Sequence, residues 1–252
     1  MSKKRVLVTG MSGLIGGVVR RKLDGKYTLS ALNRGDVQGV KTYRADISDF
    51  NAIRPAFEEQ DYVIHLAAKL GMNSTEDDML KANVIGTYNV FKAAVEAKVK
   101  RVIYASSGAI ISGYERIEPY KSLVEERYED ALATWPMITH ETPIRPNGVY
   151  GSSKIWGEAL ARHLTDTTDI SIICLRFGHV TKEDRPVLPR DWSMWCSQRD
   201  AGHMVQLCLD APDELKFDIF YVVSNNKWRY RDLDHARSVL GFESHDNAEK
   251  FR

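Results

Sequence analysis

The sequence predicts an α/β fold: a doubly wound parallel sheet with helices on both faces and a small C-terminal portion beyond it. Three observations carry this. Short β-branched runs alternate with longer helical patterns through the first two thirds of the chain, the signature of βαβ units. A glycine cluster stands at the first strand-to-helix junction. The 252 residues, 43% of them hydrophobic, suffice for one sizeable core but leave little for a second.

The elements follow in order. Arg5–Thr9 reads as a first strand and Leu14–Leu23 as a helix closed by Asp24 and Gly25. Residues 27–32 read as a second strand, 42–44 as a short third, 51–57 as helical and 62–66 as a fourth strand. The stretch 77–98 has apolar residues at helical spacing and few breakers, which predicts one long helix before a strand at 101–106. Residues 114–147 break the rhythm. Rich in Glu, Arg and Pro, they are expected to form a surface insertion near the mouth of the site. The alternation resumes with a helix at 151–164 and an apolar strand at 170–177 suited to the sheet centre. Beyond it, 178–199 reads as irregular, 200–209 as a helix, 219–223 as a strand and 233–240 as a terminal helix. Right-handed crossovers would place these helices on both faces.

Charge narrows the partners. Lys and Arg number 35 against 34 Asp and Glu, a net charge of +1, which gives no reason to expect nucleic acid or an anionic membrane. A small molecule is the expected partner. The basic N-terminal residues lead straight into a strand, with no apolar leader and no run of roughly 18 apolar residues, so a cytoplasmic protein is expected. Cys174, Cys196 and Cys208 are widely spaced and form no CxxC. Buried thiols in a reducing compartment are expected, and no metal site.

The glycine cluster is Gly10-x-x-Gly13-x-x-Gly16. Its glycines permit a tight turn, and the backbone of Gly10, Ser12, Gly13, Leu14, Ile15 and Gly16 can then approach a pyrophosphate at the positive end of the helix. At the end of the second strand, where an acidic residue would bond the adenine ribose, the chain has Asn33-Arg34-Gly35. With no carboxylate at the tip, and a guanidinium able to fork onto a phosphate, NADP is expected over NAD, the alternative being Asp36 turned back to serve NAD. Asp46, with Ile47 beside it, follows the third strand and could reach the adenine amino group. Residues 1–252 are thus expected as one domain, 1–177 mainly a dinucleotide-binding core and 178–252 mainly a smaller substrate-binding portion with the terminal helix.

Tyr150-Gly151-Ser152-Ser153-Lys154 sets a phenol and an ammonium four residues apart at a helix start, hence on one face. The fifth strand ends in Ser106-Ser107, so hydroxyl, phenol and ammonium can converge at the carboxyl edge of the sheet. Tyr150 would take or give the proton while Ser107 bonds the substrate oxygen. A cation about 5 Å from a phenol favours its ionised form by roughly 3 kcal/mol at an effective dielectric of ~20, or about two pK units. Lys154 is therefore expected to draw Tyr150 down toward neutrality and to bridge to the nicotinamide ribose.

The glycine cluster, His65-Leu66-Ala67-Ala68, Asn83-Val84-Ile85-Gly86-Thr87, Tyr104-Ala105-Ser106-Ser107 and Tyr150-x-x-x-Lys154 stand in order along the chain. Together they resemble the extended short-chain dehydrogenase/reductase family, also called the NAD-dependent epimerase/dehydratase family. The resemblance implies a Rossmann-like fold, a nicotinamide dinucleotide, and Ser107, Tyr150 and Lys154 as catalytic residues. It also implies Leu66, Ala67 and Ala68 on the cofactor side, His65 either there or as a packed core histidine, Asn83 either beside the cofactor or as a structural or water-bridging residue, and a homodimer through the long helix and the helix after Tyr150. Residues 145–151, 190–195 and 246–252 are similar to the uronate dehydrogenases, which oxidise the anomeric carbon of a free sugar acid. That similarity implies Arg190 as the group that holds a substrate carboxylate, with Gly108 and His179 also facing the substrate. It has departures. Where those enzymes carry an Asn-His pair after the catalytic serine, this chain has Gly108-Ala109; His179 replaces a serine, and Asn33 replaces their acidic residue.

The expected function is hydride transfer between nicotinamide and a small polar substrate such as a free sugar or sugar acid. A nucleotide-sugar epimerase with retained NAD is the alternative, disfavoured because few residues follow Tyr150 to wrap a nucleotide diphosphate. A dehydratase would need carboxylates beside the catalytic hydroxyl, and Gly108-Ala109 supplies none. A non-catalytic dinucleotide sensor is the alternative from another class; such proteins typically lose the tyrosine or lysine that this chain keeps.

Overall fold

The chain is described by a computed structural model covering residues 3–71 and 74–252. Seven strands form one sheet: β1 (Arg5–Thr9), β2 (Thr28–Asn33), β3 (Lys41–Arg44), β4 (Tyr62–His65), β5 (Arg101–Ser107), β6 (Ser171–Phe177) and β7 (Phe217–Val222). They lie in the order β3-β2-β1-β4-β5-β6-β7, and every pairing is parallel. The order reverses between β1 and β4, which opens a crevice at the carboxyl ends of those strands.

Burial on both faces explains why the strands read as continuous apolar runs. Val6, Val8, Ile64, Ile103 and Leu175 point to one side, where they pack with residues of α1 (Leu14–Leu23) and α8 (Gln198–Asp210). Leu7, Val63, Val102, Ile172 and Cys174 point to the other, against α4 (Thr87–Glu96) and α6 (Val149–Thr167). Cys196 and Cys208 share the first layer; all three thiols are free and fully buried, and burial raises each of them. Among the described residues, no helix is long and apolar enough to cross a membrane.

Most boundaries lie within a few residues of expectation. The helix expected at 51–57 is a short α2 (Phe50–Ile53) that tightens into a 3-10 turn over Arg54–Phe57, where Pro55 lacks a backbone donor. The helix expected over 77–98 is composite: α3 (Glu76–Met79) opens on a Thr75–Asp78 capping box, a π-helical stretch spans Leu80–Gly86, and α4 completes it. Asn83 sits within the widened stretch. The expected insertion is more ordered than its composition suggested. Its first residues end a 3-10 segment over Gly108–Arg116, which is continuous with β5, and it contains α5 (Tyr120–Val124). Ile138 then bridges to Arg231, tying the segment to the C-terminal portion. The region expected as irregular at 178–199 contains α7 (Asp191–Met194), and the chain finishes with α9 (Asp234–Leu240) and a 3-10 turn at Ala248–Phe251.

Candidate active site

Gly10 follows β1 with φ at +70, and a Cβ there would lie 2.8 Å from the Ala67 nitrogen. Only glycine can hold the turn so close to the strand beside it. The turn is braced from β2: the Asn33 carboxamide accepts from the Met11 N–H at 2.9 Å and donates to Ser12 Oγ at 2.6 Å. Gly10, Ser12, Gly13, Asn33, Arg34, Asp46, Ile47, Leu66, Ala67 and Ala68 line one cavity of 390 Å³. Leu14, Ile15 and Gly16 form the first turn of α1 directly after it. Beside it, Arg34, Arg44, Ala45 and Asp46 border a shallow depression open to solvent. Asp46 is held by the Ser48 N–H and hydroxyl at 2.9 and 2.7 Å, which lower its carboxyl, while Asp36 lies 3.7 Å from Arg44. A glycine cradle at the switch point of the sheet, with backbone donors at the start of a helix, fits a dinucleotide.

The chemical groups meet at the carboxyl edge of β5. Tyr150 falls in the first turn of α6, which starts two residues earlier than expected, after Gly148 with φ at +112. One turn on, the buried Lys154 donates from Nζ to the Ala105 carbonyl at 2.8 Å. That nitrogen lies 5.8 Å from the Tyr150 ring centre. The Ser107 hydroxyl oxygen accepts from the Ala109 N–H at 3.1 Å, which leaves its own proton to give. Ser106 is spent elsewhere, donating to Glu158 at 2.6 Å beside the Glu158–Arg176 ion pair. Ser107 is thus the available hydroxyl.

The electrostatics correct one expectation. Burial alone lowers Lys154 to about 7, and burial raises Tyr150, with the Ser107 hydroxyl pulling the other way. A full cation beside a phenol at an effective dielectric of ~20 leaves out the cost of burying the two groups. Desolvation instead weakens the cation and opposes the phenolate.

Of the residues that the resemblance sets near the cofactor, His65 and Asn83 are not among those that line the cavity, in keeping with the packing and structural readings of the two. His65 is buried between Thr9 Oγ1 at 2.8 Å and Thr87 Oγ1 at 3.1 Å, stacked on Tyr104, and desolvation lowers it to about 3. It is a neutral packing residue. Asn83 is also fully buried; its carboxamide donates to the Lys69 carbonyl at 2.9 Å and to Ser153 Oγ at 3.1 Å, and accepts from the Lys69 N–H at 2.8 Å. It clamps the segment after β4 to the start of α6 and has no donor left for a ligand.

On the substrate side, His179 stands beyond β6 with Nδ1 2.6 Å from Asp191. Arg190, expected to meet a carboxylate of the substrate, already meets one of the protein's own: its Nη2 donates to both Glu115 oxygens, at 2.9 and 2.8 Å. Glu115 also accepts from the Tyr230 hydroxyl at 2.8 Å. The guanidinium of Arg231 lies against Gly108, in the space a side chain there would fill. Glu115, Tyr230 and Arg231 were not singled out from the sequence. They come from the insertion and the C-terminal portion, and no local spacing links positions 115 and 231 to Ser107.

The family model described as NAD dependent epimerase/dehydratase family matches residues 6–187. The chain is 32% identical to the NAD-dependent glucose-6-phosphate dehydrogenase of Haloferax volcanii, over 98% of this chain and 95% of that one. It is 30% identical to the uronate dehydrogenase of Agrobacterium fabrum, over 99% and 87%. The crystal structure of uronate dehydrogenase from Agrobacterium tumefaciens superposes with a TM-score of 0.84 at 30% identity, covering all of this chain and 88% of that one. Motifs, parallel seven-stranded sheet and relatives agree: the chain belongs to the NAD dependent epimerase/dehydratase family.

Proposed function

We propose that this protein is an NADP-dependent dehydrogenase that oxidises a free sugar or sugar derivative of that size. The observation that carries the reading is the meeting of Ser107, Tyr150 and Lys154 at the strand edge next to the glycine cradle. A nicotinamide bound there supplies the hydride acceptor. As the phenolate, Tyr150 takes the substrate's hydroxyl proton at its oxygen, and Ser107 donates a hydrogen bond to the same substrate oxygen. Lys154, fixed through the Ala105 carbonyl, holds its ammonium within range of the phenol and, when charged, favours the phenolate that must stand there before the proton is transferred.

Three observations support NADP over NAD. Asn33 is spent on the glycine turn, Arg34 and Arg44 border one shallow depression, and Asp36 lies toward Arg44 rather than the turn. Two guanidinium groups at that position suit a ribose phosphate. The relatives named as sugar and uronate dehydrogenases support a sugar-sized substrate, and the buried thiols suit the cytoplasm. Exposed Leu80, Ile85 and Tyr88 along the composite helix support a homodimer through that element, for which sedimentation velocity at micromolar concentration is the check.

The test is a panel of aldoses, uronates, sugar phosphates and nucleotide sugars, each with NAD and with NADP, followed at the reduced-nicotinamide absorbance. Reduction on a free sugar with NADP is expected. Turnover of nucleotide sugars alone, without net reduction, would sink the reading.

A further inference from the structure

The Arg231 guanidinium is wholly buried, and its position is unusual for a charge. Its Nη2 lies 2.8 Å, and its Cζ 2.9 Å, from where a Cβ on residue 108 would stand. Gly108 directly follows Ser107, so the guanidinium occupies the side-chain space next to the hydroxyl that faces the substrate. None of its three nitrogens finds a hydrogen-bond partner among the described residues. The nearest opposite charge, Glu115 Oε1, is 3.7 Å from Nη2, too far for a hydrogen bond. Glu115 is already committed to Arg190 and Tyr230. The aromatic face of Tyr230, 5.0 Å away, is the other contact that favours the cation.

The charges do not balance. Two guanidinium groups share one carboxylate, and the cation left over is the buried one, since arginine keeps its proton. A buried ion without acceptors is costly, and such a group marks a place where a ligand supplies what the protein does not. The missing complement is an anion with two or more acceptor oxygens, which a guanidinium fork accepts in parallel.

We propose that Arg231 is a specificity-determining residue: it receives an oxyanion, carboxylate or phosphate, carried by the sugar held at Ser107, with Glu115 as the internal carboxylate that occupies Arg190. The absent side chain at position 108 is what admits the guanidinium. This rests on the sugar-oxidising reading above and deepens it to acidic sugars.

The experiment compares glucose, glucuronate and glucose 6-phosphate as substrates of the full-length enzyme with saturating NADP. At least one oxyanion-bearing sugar is expected to exceed glucose tenfold or more in kcat/KM, and which one does so separates carboxylate from phosphate. In Arg231→Met that preference should fall at least tenfold, carried by KM, with dinucleotide affinity by fluorescence within twofold of wild type; Arg231→Lys should recover part of it. Glu115→Gln, which removes the competing carboxylate, should lower KM for the oxyanion sugar and keeps the test alive if Arg231→Met fails to fold. A wild-type preference for glucose, an equal loss on all three sugars in Arg231→Met, or an unchanged or higher KM in Glu115→Gln overturns the proposal while sugar oxidation stands. Absence of turnover on every free sugar with either cofactor removes the underlying reading first.

Discussion

At the residue scale the site depends on two buried groups that resist their own ionisation. Tyr150→Phe keeps the ring and removes the proton carrier, so kcat should fall at least ~100-fold, in line with general acid–base contributions, with little change in Tm. Lys154→Met is the sharper test. The folded protein holds Lys154 near 7 by burial, whereas an unfolded lysine titrates near 10.4. Between those values the unfolded chain binds more protons, so this group makes stability rise with pH; below 7 both states are protonated and the burial penalty is constant. Lys154→Met should therefore lose activity yet unfold no earlier than wild type at pH 7, and its Tm advantage should shrink between pH 7 and pH 9. A variant that melts well below wild type at pH 7 would contradict the desolvation account. Removing a charge-assisted contact worth about 1.5–3 kcal/mol, Arg34→Ala should raise the KM for NADP roughly 10- to 100-fold. An equal effect on NAD would argue against a phosphate contact. The sequence singled out Tyr150, Lys154 and Ser107 as candidates because their spacing is local or lies at strand ends. It did not reveal Arg231 or Glu115, whose meaning comes from a contact between segments over a hundred residues apart.

At the element scale the composite helix matters most. Apolar periodicity over 77–98 was enough to predict its existence, but a π-helical turn has no periodic signature, so the widened stretch around Asn83 was not legible. Its reason lies in the fold: Asn83 must reach both the Lys69 backbone and Ser153, one residue from Lys154. Asn83→Ala would strand those groups at about 1–3 kcal/mol and should lower Tm by roughly 2–12 °C. Because α6 carries Tyr150 and Lys154, kcat should fall more than KM rises; an unchanged kcat would reduce Asn83 to packing alone. The internal order of the insertion was not legible for a related reason. Its polar and proline-rich composition reads as loop, yet Ile110, Ile111, Leu123, Ile138 and Tyr230 bury a small core of their own, assembled from sequence-distant pieces.

For the whole molecule, the parallel pairing and the helices on both faces were the most legible features, since alternating elements and right-handed crossovers leave few arrangements. The site stands where that order reverses, so dinucleotide binding should brace the fold: at a hundredfold excess over Kd, NADP should add about 2.7 kcal/mol and raise Tm by roughly 5–11 °C. A larger shift from NAD would reverse the cofactor assignment. The three cysteines give the fold an internal clock. Cys174 lies in the layer beneath α4 and α6, whereas Cys196 and Cys208 lie in the opposite layer with α1 and α8. Buried and disfavoured as thiolates, none can react with an alkylating reagent until its own layer parts from the sheet. The order in which mass spectrometry finds them tagged would thus tell which face of the protein opens first.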